Sequence, residues 1–161
     1  MIIRKTTIQD FEDVCRIYSD ARDFMRESGN PTQWGDTDPV HDLILSDIHA
    51  GKSYVCVCDD EIVAVFYFCV EREPTYDKID GGWLDSGSYG VVHRIASSRR
   101  VKGAGAFCLV WCLGQCRDLR IDTHRANAPM RGLLNKLGFT YCGIIWLDDG
   151  SERLAFQKIN E

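Results

Sequence analysis

The chain has 161 residues, of which 45% are hydrophobic and 27% charged, with a formal net charge of −5. These proportions predict a single globular domain over 1–161, large enough to bury a full core. The acidic balance argues against a nucleic-acid partner, whose footprint would be a basic face. No apolar run approaches the roughly 18 to 20 residues that cross a bilayer, which argues against a membrane span.

The first ten residues, MIIRKTTIQD, hold no apolar stretch long enough for a secretory signal, so a cytoplasmic address is expected. Ile2 to Lys5 reads as a short strand. Thr7-Ile8-Gln9-Asp10 has the spacing of a capping box, and Ile8, Phe11, Val14 or Cys15, Tyr18, Ala21 and Met25 recur at helical intervals, predicting a helix to about Glu27. Gly29 and Pro31 stop it. The connection from Ser28 to Thr37 is polar apart from Trp34. Asp38 as cap and Pro39 at the first helical position predict a second helix ending near Gly51.

Tyr54 to Cys58 and Ile62 to Val70 read as strands joined across Asp59-Asp60 in a hairpin. Glu71 to Ser88 is turn-rich yet carries Tyr76, Ile79 and Trp83, and a long connection with exposed aromatics is where binding residues concentrate. Tyr89 to Ala96 is the next strand. A strongly apolar helix runs from Ala104 to about Arg117, and Gly114 inside it points to tight helix–sheet contact, because glycine there costs about 1 kcal/mol against alanine. Leu119 to Thr123 is a strand, Pro129 to Leu137 a helix ended by Gly138, and Phe139 to Leu147 with Glu152 to Lys158 a closing hairpin. This order predicts an α/β fold, a mixed sheet with helices on its faces.

Eight cysteines occur, but none in a C-x-x-C pair. Cys108, Cys112 and Cys116 fall on one helical face and Cys56 with Cys58 on one strand face, the pattern of small buried hydrophobes in a reducing compartment. No metal site is expected.

The most informative stretch is Arg100-Val101-Lys102-Gly103-Ala104-Gly105-Ala106, between a strand and the apolar helix. That helix has no Ser, Thr, Asp or Asn at its start to occupy its first amides. Glycines allow close backbone approach, and the amides and helix dipole favour an anion; Arg99, Arg100 and Lys102 add positive charge. A Walker loop would need a Lys-Ser/Thr pair where Ala106-Phe107 stand, and a dinucleotide fingerprint a glycine where Cys108 stands.

What remains is R-x-x-G-x-G at Arg100, Gly103 and Gly105. It resembles the acyl-CoA pyrophosphate loop of the GCN5-related N-acetyltransferase (GNAT) superfamily. Downstream, Asn127 and Leu133-Leu134-Asn135-Lys136-Leu137-Gly138-Phe139 are similar to that superfamily's N-x(n)-L-Y-x-K-L-G-F segment. The resemblance covers roughly residues 89 to 141. It implies a GNAT-like fold and acetyl transfer from acetyl-CoA (coenzyme A) to a primary amine of a small molecule or peptide. It further implies that Arg100, Lys102, Gly103, Ala104, Gly105 and Ala106 hold the cofactor's pyrophosphate. Main-chain groups near Ile95 would align the pantetheine arm, and Asn127 would contact that arm.

An amine of pKa about 10.4 must lose a proton before it attacks, whereas an α-amine near 7.7 to 8.0 is already partly neutral. Tyr89, Val91, His93 and Ile95 share a strand face by alternation. In relatives an acid or histidine on that face serves as base, so His93 is the catalytic candidate, beside the alternative of a structural histidine; Tyr89 stands at the position of the relatives' acid. The family's tyrosine acid position is Leu134 here. The thiolate then leaves unaided, takes a proton from Tyr141, Tyr89 or water, or the chain binds acyl-CoA without turnover as a sensing domain. Trp34 and Trp83, on separate loops, are candidates for the acceptor pocket. His124 after the Asp122-Thr123 strand end would reach the cleft if the strands splay there; the alternative is a surface or supporting residue. Self-association into a homodimer leaves no mark in the sequence and stays open.

Overall fold

Period-two and period-3.6 apolar patterns become eight strands and four α-helices in the computed structural model, which describes residues 1–160. In chain order these are β1 (Ile2–Lys5), α1 (Phe11–Glu27), α2 (His41–His49), β2 (Ser53–Cys58), β3 (Glu61–Cys69), β4 (Asp80–Gly81), β5 (Gly90–Ser97), α3 (Ala104–Gln115), β6 (Asp118–Thr123), α4 (Ala128–Lys136), β7 (Thr140–Trp146) and β8 (Glu152–Ile159). The strands form a mixed sheet of order β1-β2-β3-β5-β6-β8-β7-β4. The chain divides into two compact units, Met1–Phe68 with His93–Trp111, and Cys69–Val92 with residues from Cys112 onward; β5 and α3 contribute to both.

In the first unit β1, β2 and β3 pair antiparallel. The β2–β3 hairpin turns over Asp59 (φ +51°) and Asp60 (φ +64°), two left-handed residues whose twist matches the strands they join. Strand alternation then sorts the side chains. Val55 and Val65 point to a core with Val14, Ile17 and Tyr18 of α1 and Ile44 of α2. On the opposite face Tyr54, Phe66 and Phe68 close around Trp111 of α3, with ring centroids 5.1, 5.9 and 5.8 Å away. Helices therefore cover both faces of these strands. Cys108 and Cys112 of α3 are fully buried, burial pushes the Cys56 and Cys108 thiols up, and all eight cysteines are unbridged.

The Thr7–Asp10 box forms as the spacing predicts. The Asp10 carboxylate accepts the Thr7 N–H at 2.7 Å and two Arg4 bonds at 2.7 and 3.0 Å. The Arg4 hydrogen bond is the main reason the Asp10 pKa lies below the ordinary carboxylate value. A depressed folded-state pKa gives stability that is present above the unfolded value and lost as pH falls through the folded one. Asp10→Asn should therefore flatten the acid limb of a stability–pH profile, measured by urea titration at each pH. An unchanged slope below about pH 4 would contradict the assignment.

Three expectations need correction. Pro39 does not open a helix: Asp38-Pro39 is a cis bond, and α2 starts at His41, with Val40 C=O accepting from Leu43 and Ile44 N–H at 3.1 Å. Packing of Ile44 and Ile48 into the core sets that start, which local propensity does not register. Gly114 makes no close approach, since a Cβ added there meets nothing within 4 Å. Gly114→Ala should thus stabilise by up to about 1 kcal/mol through helix propensity, read as a raised melting temperature; a loss would show a constraint at that turn.

The third concerns the second unit. Its strands β6, β8, β7 and β4 pair antiparallel, and β5 runs parallel to β6 over Gly90–Val92 and Leu119–Ile121. The segment read as a turn-rich connection holds β4, whose Gly81 (φ +130°) meets Gly143 (φ +142°) of β7. A Cβ on either would lie 2.2 or 2.1 Å from the facing strand's carbonyl oxygen, so neither position admits a side chain. Tyr76 is not exposed: it is 1% accessible and packs with Val91, Ile145 and Ala155. Its hydroxyl donates to Asp122 Oδ2 at 2.6 Å, which satisfies the one polar group that burial would penalise.

Candidate active site

In the first unit the loop after β5 leads directly into α3. Gly103 adopts φ +84°, a conformation open to glycine, and a Cβ built there meets nothing within 4 Å. The backbone, not packing, therefore requires glycine here, and the space beside it is open. Phe107 N–H donates to Gly103 C=O at 2.9 Å, the first helical bond of α3. The amides of Ala104, Gly105 and Ala106 lie before any helical acceptor and point out of the helix's positive end. Lys102 is exposed beside them. Arg100 pairs with Glu61 at 3.2 Å on the surface, and Arg99 (φ +64°) lays its guanidinium 3.6 Å from the Phe24 ring centroid. An exposed pair such as Arg100–Glu61 is worth at most about 1 kcal/mol, so a phosphate would displace the carboxylate readily. Amides, open space and cations fit a diphosphate such as that of coenzyme A.

β5 carries the other first-unit candidates. Its alternation breaks at Arg94, whose φ of +50° is rare for a side-chain-bearing residue and marks stored strain. Three contacts hold it there. The guanidinium bonds Asp47 at 2.9 and 3.0 Å, stacks 4.8 Å from the Tyr67 ring centroid, and the Arg94 carbonyl accepts the Tyr18 hydroxyl at 2.9 Å. Burial pushes the Asp47 carboxyl up, with Arg94 opposing, and burial also raises Tyr18. His93, one residue earlier, packs against Tyr67 at 5.5 Å between centroids. The kink means that Ile95 need not share the His93 face, as strict alternation had it. Trp34 joins the core edge-on to Tyr18 at 5.6 Å, so packing accounts for its place.

The second unit brings Tyr89 and Trp83 together, in a 590 Å³ cleft with Tyr76 and Arg120. Arg120, 4% accessible, lies 4.3 Å from the Trp83 ring centroid and 3.9 Å from that of Tyr89, and donates to Asp85 C=O at 2.9 Å. The slot where two aromatic faces would hold a substrate cation is therefore filled by the chain's own guanidinium. The Tyr89 hydroxyl accepts the Glu73 N–H at 2.8 Å. Beside the cleft the Asp118 and Asp85 carboxyls act on each other: burial, then Asp85, pushes Asp118 up, while Asp118 is the first cause that lowers Asp85. Asn127 caps α4, its Oδ1 accepting the Met130 N–H at 3.1 Å. Leu134, where the family tyrosine is expected, is fully buried.

Sequence reading missed the Asp47–Arg94 pair and the Arg120 stack. Neither has a local signal, because each joins residues far apart in the chain. No group of His, Cys, Asp and Glu among the described residues is arranged to hold a metal ion, and no described helix is long and apolar enough to cross a membrane.

No protein-family model matches the chain, and no curated protein does. Solved structures do. A GNAT-family acetyltransferase from Streptococcus agalactiae 2603 is 34% identical, with 99% of this chain and 95% of that one covered at a TM-score of 0.89. A GNAT-family acetyltransferase from Listeria monocytogenes 4b F2365 is 19% identical (98% and 94% covered, TM-score 0.72), and a ribosomal-protein-alanine N-acetyltransferase from Brucella melitensis is 18% identical (99% and 99%, TM-score 0.67). At those identities the last two speak for the fold alone.

Proposed function

Because the chain belongs to the GNAT family of acetyltransferases, we propose that it transfers the acetyl group of acetyl-CoA to a primary amine of a small molecule or peptide. The observation that carries this reading is the left-handed Gly103 followed by the leading amides of α3, an anion cradle with open space beside it. Acetyl-CoA would supply an activated thioester carbonyl and a thiol leaving group. The amides of Ala104 to Ala106, with Lys102 and Arg100, would grip its pyrophosphate. Main-chain groups near Ile95 would align the arm. His93 would take the proton of the attacking amine, directly or through a water, with the strained turn at Arg94 holding its backbone. Positioning and exclusion of water would supply most of the acceleration. A cytoplasmic location suits a chain with eight unbridged thiols.

Thiol release from acetyl-CoA across a panel of primary amines tests the reading. Turnover on at least one amine supports it, and full turnover in His93→Ala removes that residue as base. A second reading, an acyl-CoA-sensing domain without turnover, is favoured by the buried Leu134, which offers no hydroxyl to the leaving thiolate. Tight coenzyme A binding with no thiol release on any amine would establish it.

A further inference from the structure

In the second unit a 350 Å³ pocket opens between α4 and the β7–β8 hairpin, lined by Arg125, Arg131, Asn135, Tyr141, Leu154 and Phe156. That volume lies at the lower end of the range for small-molecule sites, about 300 to 1,000 Å³. Leu154 and Phe156 share one face of β8 by alternation and both are buried, so the floor is apolar. Tyr141 pairs across the strands with Phe156, meets it edge-on with ring centroids 5.7 Å apart, and is 52% exposed. An open aromatic ring thus stands beside a buried one. Arg131 and Asn135 lie about one turn apart on α4 and bring the polar side. Arg131 Nη1–H donates to Arg125 C=O at 3.0 Å, which fixes the side chain and leaves Nη2 and Nε to face a ligand. The lining itself holds no acid. Glu152 meets Arg125 at 3.6 Å in a pair whose side chains are 66% and 55% exposed, a contact that contributes little. Asp122 aligns with Ala155, on the other face of β8, and accepts the Tyr76 hydroxyl there. Two guanidinium groups against one carboxylate leave the site a net positive charge.

We propose that this pocket binds an aryl carboxylate, a single aromatic ring carrying one carboxylate group. The ring lies over Phe156 and Leu154 against Tyr141, and the carboxylate takes the Arg131 fork, with Arg125 and the Asn135 amide as further donors. An anion without a ring leaves the apolar floor in water, and a ring without a charge gains nothing from the guanidinium groups. The site adds a ligand to the molecule and does not depend on acetyl transfer.

Ligand-observed NMR titration of the full chain with phenylacetate, phenylacetamide, acetate and inorganic phosphate tests the proposal. Phenylacetamide keeps the ring and loses the charge, whereas acetate and phosphate keep a charge and lose the ring. The expected result is that phenylacetate binds at least about 10-fold tighter than each of the other three. Arg131→Gln should weaken phenylacetate by about 10-fold and Tyr141→Ala by several-fold. Both residues are exposed, so the variants should keep the fold, which a melting curve verifies. Absence of phenylacetate binding up to about 10 mM, or equal affinity for the amide, overturns the proposal. Tighter binding of acetate or phosphate, which would mark an adventitious ion only, overturns it too, as does phenylacetate affinity that survives either variant. The titration is repeated with saturating coenzyme A. Undiminished phenylacetate affinity upholds a site of its own, and displacement assigns the pocket to the cofactor and overturns the proposal.

Discussion

Gly105→Glu is expected to lower coenzyme A affinity by roughly 100-fold or more while leaving the fold intact. Residue 105 is the second of α3, where its amide precedes any helical acceptor. A carboxylate there sits at the positive end of the helix dipole, so helix stability should hold or rise slightly. The same carboxylate would take the amides a diphosphate needs and repel its charge. Losing two hydrogen bonds to a charged group at about 1.5 to 3 kcal/mol each gives a loss of 10² or more. Calorimetric titration with coenzyme A, beside a melting curve of the apo protein, separates binding from folding. Undiminished affinity in a folded variant would move the pyrophosphate away from this turn and take the cofactor placement with it.

The second large effect belongs to Asp47→Ala, which should destabilise by about 3 kcal/mol, since removing one partner strands a largely buried charge. Asp47 and Arg94 side chains are 10% and 19% accessible, and their two hydrogen bonds hold the residue whose left-handed backbone kinks β5 beside His93. Urea unfolding measures the loss. The pair's own worth comes from the cycle Asp47→Ala, Arg94→Ala and the double variant, in which the double should lose less than the sum. Asp47→Asn keeps an acceptor but not the charge and should fall between. A loss under about 1 kcal/mol in Asp47→Ala would mean that the pair is solvated and does not restrain the strand.

Much of the candidate site was legible in the chain. R-x-x-G-x-G works through backbone conformation and free amides, which are local properties, so Gly103 at φ +84° and the start of α3 at Ala104 follow from adjacent residues. Asn127 was read only for the pantetheine arm, and its capping of α4, though a local property, went unread. Arg94 was not legible: no residue in its neighbourhood announces a left-handed turn inside a strand, and the pair that holds it joins residues 47 apart. Trp83 was read as a wall of the acceptor pocket and Tyr89 as a catalytic participant, and only Arg120 on β6 shows that the faces of both rings are taken. Gly114 looked like a contact glycine because composition cannot distinguish open space from close approach.

Periodicity, turn chemistry and the glycine loop by themselves determined an α/β chain with a helix that opens after a left-handed glycine, because each acts within a few residues along the backbone. The tertiary structure alone decided which polar groups meet: Asp47 with Arg94, Tyr76 with Asp122, and Arg120 between two rings. Burial makes such partners obligatory without specifying them, since a buried charge or hydroxyl must be satisfied by whatever the fold brings within reach.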